Sequence, residues 1–124
     1  MTVNTTQPDQ STWVIRLSGK LNFQSRQAFH KAVQQAEHTS PRQIIFDLTE
    51  ISYIDSAGLG LLALTHKRLT KAGIRIGLTN LQHMVKEVFQ LTNLDNLFCI
   101  YDSVATASQS LKTTVQSPAT TTPS

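Results

Sequence analysis

Tyr53-Ile54-Asp55-Ser56-Ala57-Gly58-Leu59-Gly60-Leu61-Leu62 sets an Asp-Ser pair directly against a small, glycine-interrupted apolar run. Polar capping residues followed by helix-compatible apolar positions mark the start of a helix, which the spacing carries from Ser56 to about Ala72. Gly73 suits the position just past its end, and Lys67, Arg68 and Lys71 fill the closing turns, where cations favour the helix dipole. Immediately upstream, Gln43 to Leu48 (QIIFDL) is a short continuous apolar run, the pattern of a central strand, and Ile51 to Asp55 leads into the motif. A strand running into a helix at an Asp-Ser pair is the local signature of an α/β fold, and it places that pair at a strand's C-terminal end. Ligands and partners meet such sheets at that edge.

Working outward, Trp13 to Gly19 (WVIRLSG) reads as a strand, with a possible edge strand from Val3 to Gln7. Ala28, Phe29, Ala32, Val33 and Ala36 recur at helical spacing after Ser25, a candidate N-cap, and Pro41 closes that region. Ile74 to Leu78 is the next strand. Met84, Val85, Val88 and Phe89 mark a short helix, and Phe98 to Tyr101 reads as a further, buried strand. Asp102 or Ser103 can cap a last helix bearing Val104, Ala107 and Leu111. Strands and helices therefore alternate in one small α/β layer. The ending TTVQSPATTTPS has almost nothing to bury and reads as a disordered tail.

The bulk properties narrow the functional classes. With 124 residues, 40% of them hydrophobic and 15% charged, the chain suits one domain with a real core. The net charge of +3 is mild, and the basic run Lys67, Arg68, Lys71 and Arg75 reads as a solvated helix face. The aromatic residues are not interleaved with basic ones as a nucleic-acid platform requires. Cys99 is the single cysteine, so no internal disulfide forms, and its place in Phe98-Cys99-Ile100-Tyr101 suits a small buried hydrophobe. Neither a secretory leader nor an apolar stretch long enough to span a bilayer is visible, which leads to the expectation of a cytoplasmic protein with no membrane contact.

Three chemistries compete for the motif. Gly58-Leu59-Gly60-Leu61-Leu62-Ala63 formally fits a dinucleotide glycine loop, but that loop needs a carboxylate about 20 positions on. Ile76-Gly77-Leu78-Thr79-Asn80 has none. A nucleophile elbow needs glycine two residues before the serine, and Ile54 stands there. His30, His38, His66 and His83 lack metal-ligand spacing, and His66 lies too far along the helix to serve Ser56 as a base. Neither a catalytic residue nor a metal or cofactor site is therefore expected. The third chemistry is a phosphorylation switch. A helix N-terminus accommodates an anion, and phosphoserine adds about −1.5 to −2 charge. Gly58 and Gly60 would let a kinase or partner approach the backbone, Asp55 could orient the hydroxyl or touch the partner, and Asp47 and Glu50 would add negative charge nearby. The plain alternative is that Asp55 and Ser56 only cap the helix, a role worth about 1 kcal/mol.

The segment Ile54 to Leu62 resembles the signature of STAS domains, specifically the bacterial anti-sigma factor antagonists, which carry Asp-Ser-(Ser/Thr/Ala)-Gly-Leu-Gly at this place. Ile15-Arg16-Leu17-Ser18-Gly19-Lys20-Leu21-Asn22 is similar to that family's strand ending in Gly-Glu-Leu-Asp. The resemblance extends over residues 10 to 112. It implies a single STAS-like domain over 1–112, a small mixed β-sheet with about four helices packed against it, and a disordered tail over 113–124. It also implies a monomeric partner-switching protein that is a kinase substrate and not an enzyme. Unphosphorylated, such a protein binds an anti-sigma factor that is also a GHKL-type serine kinase, and so frees the sigma factor. The kinase modifies the motif serine, here Ser56, and a metal-dependent serine phosphatase reverses it. By the same resemblance Asn22, Asp55, Ser56, Ala57, Gly58, Leu59 and Gly60 form the partner-binding surface. Ala57 offers no second hydroxyl, and Lys20 and Asn22 stand where the family often has Glu and Asp. A STAS docking subunit of a transport or lipid-trafficking complex is the competing expectation.

Overall fold

A computed structural model describes residues 1–113, so the tail expected over 113–124 lies outside the described residues apart from Thr113, which closes a helix. Five strands form one sheet in the order β1 (Thr2–Asp9), β2 (Thr12–Leu21), β3 (Gln43–Ile54), β4 (Arg75–Thr79) and β5 (Cys99–Tyr101). β1 pairs antiparallel with β2 through a tight turn, and every later pairing is parallel. The parallel pairs need helical crossovers: α1 (Arg26–Glu37), α2 (Ser56–Lys71) and α3 (His83–Leu91), with α4 (Val104–Thr113) following β5. This is the mixed sheet with four helices that the STAS resemblance implies, and it keeps the alternation of strands and helices read from the residues.

Alternation along the strands sorts the core. Ile15, Leu17, Ile44, Phe46, Ile76 and Leu78 join Phe29 and Val33 of α1, Leu62 and Leu69 of α2, and Val85 and Phe89 of α3 in the main cluster. The alternate positions Val14 and Ile45 meet Ala107 of α4 in a second, smaller cluster with Tyr101 and Val104 at its border. Three helices thus cover one face of the sheet and α4 the other. Residues two apart on a strand share a face, so one-residue alternation between the clusters is what a regular strand dictates.

β3 departs from that rule. QIIFDL and the segment after it form one continuous strand of 12 residues, where the sequence suggests a strand followed by a separate lead-in. Arg16 faces Asp47 but Ser18 faces Glu50, and Gly19 faces Ile51 but Lys20 faces Tyr53. Each interval inserts one extra residue into β3, a bulge, and each bulge shifts the side-chain alternation by one. Leu48, Ile51 and Ile54 consequently reach the core at every third position instead of every second.

Local termini follow the sequence closely with one exception, at Ser25. Gly73 adopts φ +83 past the end of α2, with Gly73 N–H donating to the Thr70 carbonyl and Ile74 N–H to the Leu69 carbonyl, a Schellman closure. Ser103 caps α4 by accepting from Thr106 N–H at 3.1 Å. Ser25 precedes α1 without capping it, because its hydroxyl is committed backwards to Asn22, as described below. β5 is an edge strand whose Cys99, Ile100 and Tyr101 are half-buried, and only Phe98 before it is buried. Burial of the Cys99 thiol raises its pKa against the opposing hydrogen bond with Tyr101.

Candidate functional site

The last paired residues of β2 and β3, Leu21 and Ile54, lie side by side, so the residues that follow them, Asn22 and Asp55, emerge together at the C-terminal edge of the sheet. Asp55 N–H reaches back to the Leu21 carbonyl at 3.4 Å. Asp55 is in extended conformation and is the N-cap of α2: its Oδ1 accepts from Gly58 N–H at 2.9 Å. One of the four orphan N–H groups of the helix start is thereby satisfied by the aspartate alone.

That settles what Ser56 is not. It occupies the first helical position, exposed, and its hydroxyl makes no hydrogen bond among the described residues. The capping role is filled by its neighbour. Asp55 in turn spends an oxygen on the backbone, with no bond to the Ser56 hydroxyl.

The two glycines of the motif prove unlike each other. A Cβ on Gly58 would lie 2.1 Å from the Leu21 carbonyl oxygen, 2.8 Å from its carbon and 3.0 Å from Ile54 Cγ1. Backbone cannot yield at such distances, so glycine is what lets the first turn of α2 seat on the end of β2. The close approach expected at Gly58 is made by the chain itself, and the residue is buried. At Gly60 an added Cβ would meet nothing within 4 Å. Ala57 is half-buried, and Leu59 is half-buried with its side chain against the main core.

Across from the helix start, Asn22 heads a 3-10 turn over Phe23–Ser25 with a reciprocal capping box. Its Oδ1 accepts from Ser25 N–H at 3.1 Å, and its own N–H donates to Ser25 Oγ at 2.9 Å. Asn22 is therefore a rigid element of this edge.

Two aromatic side chains border the site and escape the sequence reading. Phe23 is 61% exposed, with the Arg26 guanidinium 3.7 Å above its ring centroid, and Tyr53 is 47% exposed. The legible signal for Phe23 was an aromatic residue directly after a strand end, outside the periodicity of the helix that follows. Tyr53 was hidden by the bulge, which turns it outward.

Asp47 and Glu50 do not contribute as the sequence suggests. Asp47 is buried on β3 level with Thr79, eight residues before the cap. Burial acts to raise its pKa. Hydrogen bonds from Thr49 Oγ1 at 2.5 Å, Thr49 N–H at 3.0 Å and Asn80 at 3.3 Å, with Arg16 Nε at 3.1 Å, outweigh burial and hold the carboxyl below its ordinary value. Its charge is spent within the sheet. Glu50 accepts from Ser18 Oγ at 3.3 Å across the strand pair. Among the described residues no group of three or more His, Cys, Asp or Glu side chains could hold a metal ion, and no helix is long and apolar enough to cross a membrane. His66 lies half-buried against the Phe98 ring at 5.0 Å, on the third turn of α2.

A family model for the STAS domain matches residues 3–107. The chain belongs to the STAS domain family. A STAS-domain containing protein of Pseudomonas aeruginosa is 29% identical over 92 residues, covering 74% of this chain and 90% of its own. An anti-sigma F factor antagonist of Paenibacillus polymyxa is 26% identical over 100 residues, with 76% and 81% covered. Among solved structures, the anti-sigma factor antagonist SpoIIAA in its unphosphorylated form superposes with a TM-score of 0.75 at 23% identity, over 93% of this chain and all of that one. The shared STAS fold extends from β1 to α4, and the Asp-Ser pair sits at the head of its second helix.

Proposed function

We propose that this STAS protein is an anti-sigma factor antagonist switched by phosphorylation of Ser56. The observation that carries the reading is the division of labour at the start of α2: Asp55 caps, and Ser56 presents an exposed hydroxyl with no bond to break. A kinase can take that hydroxyl without unwinding the helix. The unphosphorylated protein engages an anti-sigma factor that is also a GHKL-type serine kinase, through Asn22, Asp55 to Gly60, and the adjoining Phe23 and Tyr53. A metal-dependent serine phosphatase restores the binding form. Names of relatives support the antagonist role.

The physics of the switch rests on position. A phosphate of about −1.5 to −2 charge at the first helical residue is tolerated by the helix dipole. The fold therefore survives, while the new charge, beside the Asp55 carboxylate, falls at the centre of the partner surface. A loss of about 4 kcal/mol there is roughly a thousandfold in affinity. Capture of a GHKL-type kinase by immobilised protein tests this. Ser56→Ala retains capture and Ser56→Asp loses it by about that factor; equal capture by both variants overturns the proposal. A permease or transport ATPase copurifying in the kinase's place would turn the reading to a docking subunit.

A further inference from the structure

The far end of α2 carries a second surface. Because α1 and α2 both start at the C-terminal edge of the strands, their later turns lie together at the opposite edge, away from Ser56. Between them is an open groove of about 340 Å3, lined by His30 of α1 and by Leu64, Thr65, Lys67, Arg68 and Lys71 of α2. Leu64 is 68% exposed, an apolar side chain with no place in the core. Arg68 is paired with Glu37 of α1, while Lys67 and Lys71 have no ion-pair partner among the described residues.

Charge is concentrated here. The groove is lined by the three cations Lys67, Arg68 and Lys71, and one carboxylate, Glu37, pairs with Arg68. That leaves a local net charge of +2, against +3 for the entire chain. An exposed leucine followed along the helix by two unpaired lysines is the complement of an acidic segment with an apolar anchor: the anchor meets the leucine, and carboxylates meet the lysines.

We infer that the α1–α2 groove is a second docking surface, which receives an acidic protein segment carrying a leucine-like anchor and does so whatever the state of Ser56. A protein segment fits better than an anionic membrane. The lining offers a single large apolar side chain and no aromatic residue to sit at a lipid interface. Leu64 lies eight residues along α2 from Ser56, roughly 12 Å at 1.5 Å per residue, with the lysines farther still. At about 8 Å Debye length in physiological salt, a phosphate on Ser56 is largely screened from them. A partner could therefore stay tethered through the groove while its contact at Ser56 is made and broken.

The test is a selection of random dodecapeptides displayed on phage, with the full chain as bait, followed by affinity measurement of the enriched peptides as synthetic probes. The expected peptides are rich in Asp and Glu around a Leu, Ile or Phe. They bind wild type and Ser56→Asp alike, weaken with salt, and lose at least about tenfold on the Lys67→Glu/Lys71→Glu chain. Both lysines are exposed, so that variant keeps the fold; carboxylates in the closing turns oppose the helix dipole and lower the thermal midpoint slightly, and a single cooperative transition documents the fold. Enriched peptides without acidic character, or with undiminished affinity for the double variant, overturn the inference. So does a chain that selects no acidic peptide but binds phosphatidylserine vesicles or duplex DNA through Lys67 and Lys71. The inference does not depend on the switch reading: Ser56→Asp probes the switch, and the lysine pair probes the groove.

Discussion

The two ends of α2 are built on different terms. At its start the helix is locked by backbone: Gly58 lies against the Leu21 carbonyl, Asp55 N–H reaches the same carbonyl, and the Asp55 carboxylate closes the first turn. At its finish one buried side chain, Leu69, anchors it, and the rest is local: a glycine-terminated Schellman closure and an exposed Arg68–Glu37 pair. Such pairs contribute about 0–1 kcal/mol. The first end tolerates no displacement and leaves one hydroxyl free. The second leaves its cations and Leu64 adaptable. Rigid presentation of a single hydroxyl and loose presentation of a charged groove are opposite ways to finish the two ends of one helix.

The sharpest way to break this contrast is Gly58→Ala. The added methyl has backbone in its path, so the helix start or the end of β2 must move, at a cost of about 3 kcal/mol measurable as a fall in the urea midpoint. Asp55→Ala removes the cap and is expected to cost about 1 kcal/mol. Gly60→Ala runs the other way: with open space around it and a helical backbone, it gains about 0.5–1 kcal/mol from helix propensity. Ser56→Ala leaves stability within about 0.5 kcal/mol, since the hydroxyl bonds to nothing among the described residues. A cost for Ser56→Ala equal to that of Asp55→Ala would show the two residues sharing the cap.

The smallest effect belongs to the middle of the helix. Burial against Phe98 holds the His66 pKa below its ordinary 6.5, so the folded state binds a proton less readily than the unfolded chain. Its contribution to stability is whole above pH 6.5 and declines as the pH falls through the depressed folded value. Thermal midpoints in the weakly acid range track that slope, and His66→Leu flattens it.

What the sequence disclosed was local. The start of α2 at Ser56, Gly73 past its end, the edge strand before β2 and the Ser103 cap all rest on signals within a few residues of one another. The misreadings rest on distant partners. The bulges in β3 exist only relative to β2, some thirty residues earlier, and a single chain shows no sign of an extra residue in a strand pair. Gly58 and Gly60 read alike because the atom that separates them, the Leu21 carbonyl oxygen, lies across the fold. Asp47 read as a nearby charge because sequence distance ignores how far an extended strand carries a residue. Ser25 is the local exception: it read as the cap of α1, but Asn22, three residues back, claims its hydroxyl.

The seat of Gly58 on Leu21 has a practical corollary. A synthetic peptide spanning Ile51 to Thr65 would reproduce every letter of the motif and none of its shape, since so short a helix is marginal in water and the carbonyl that sets its angle belongs to β2. A nascent chain that has already released Ser56 from the ribosome is no better placed until β2 and β3 have paired. Under the proposed switch, only the folded domain would present Ser56 to a kinase, and its modification would then report that folding is complete.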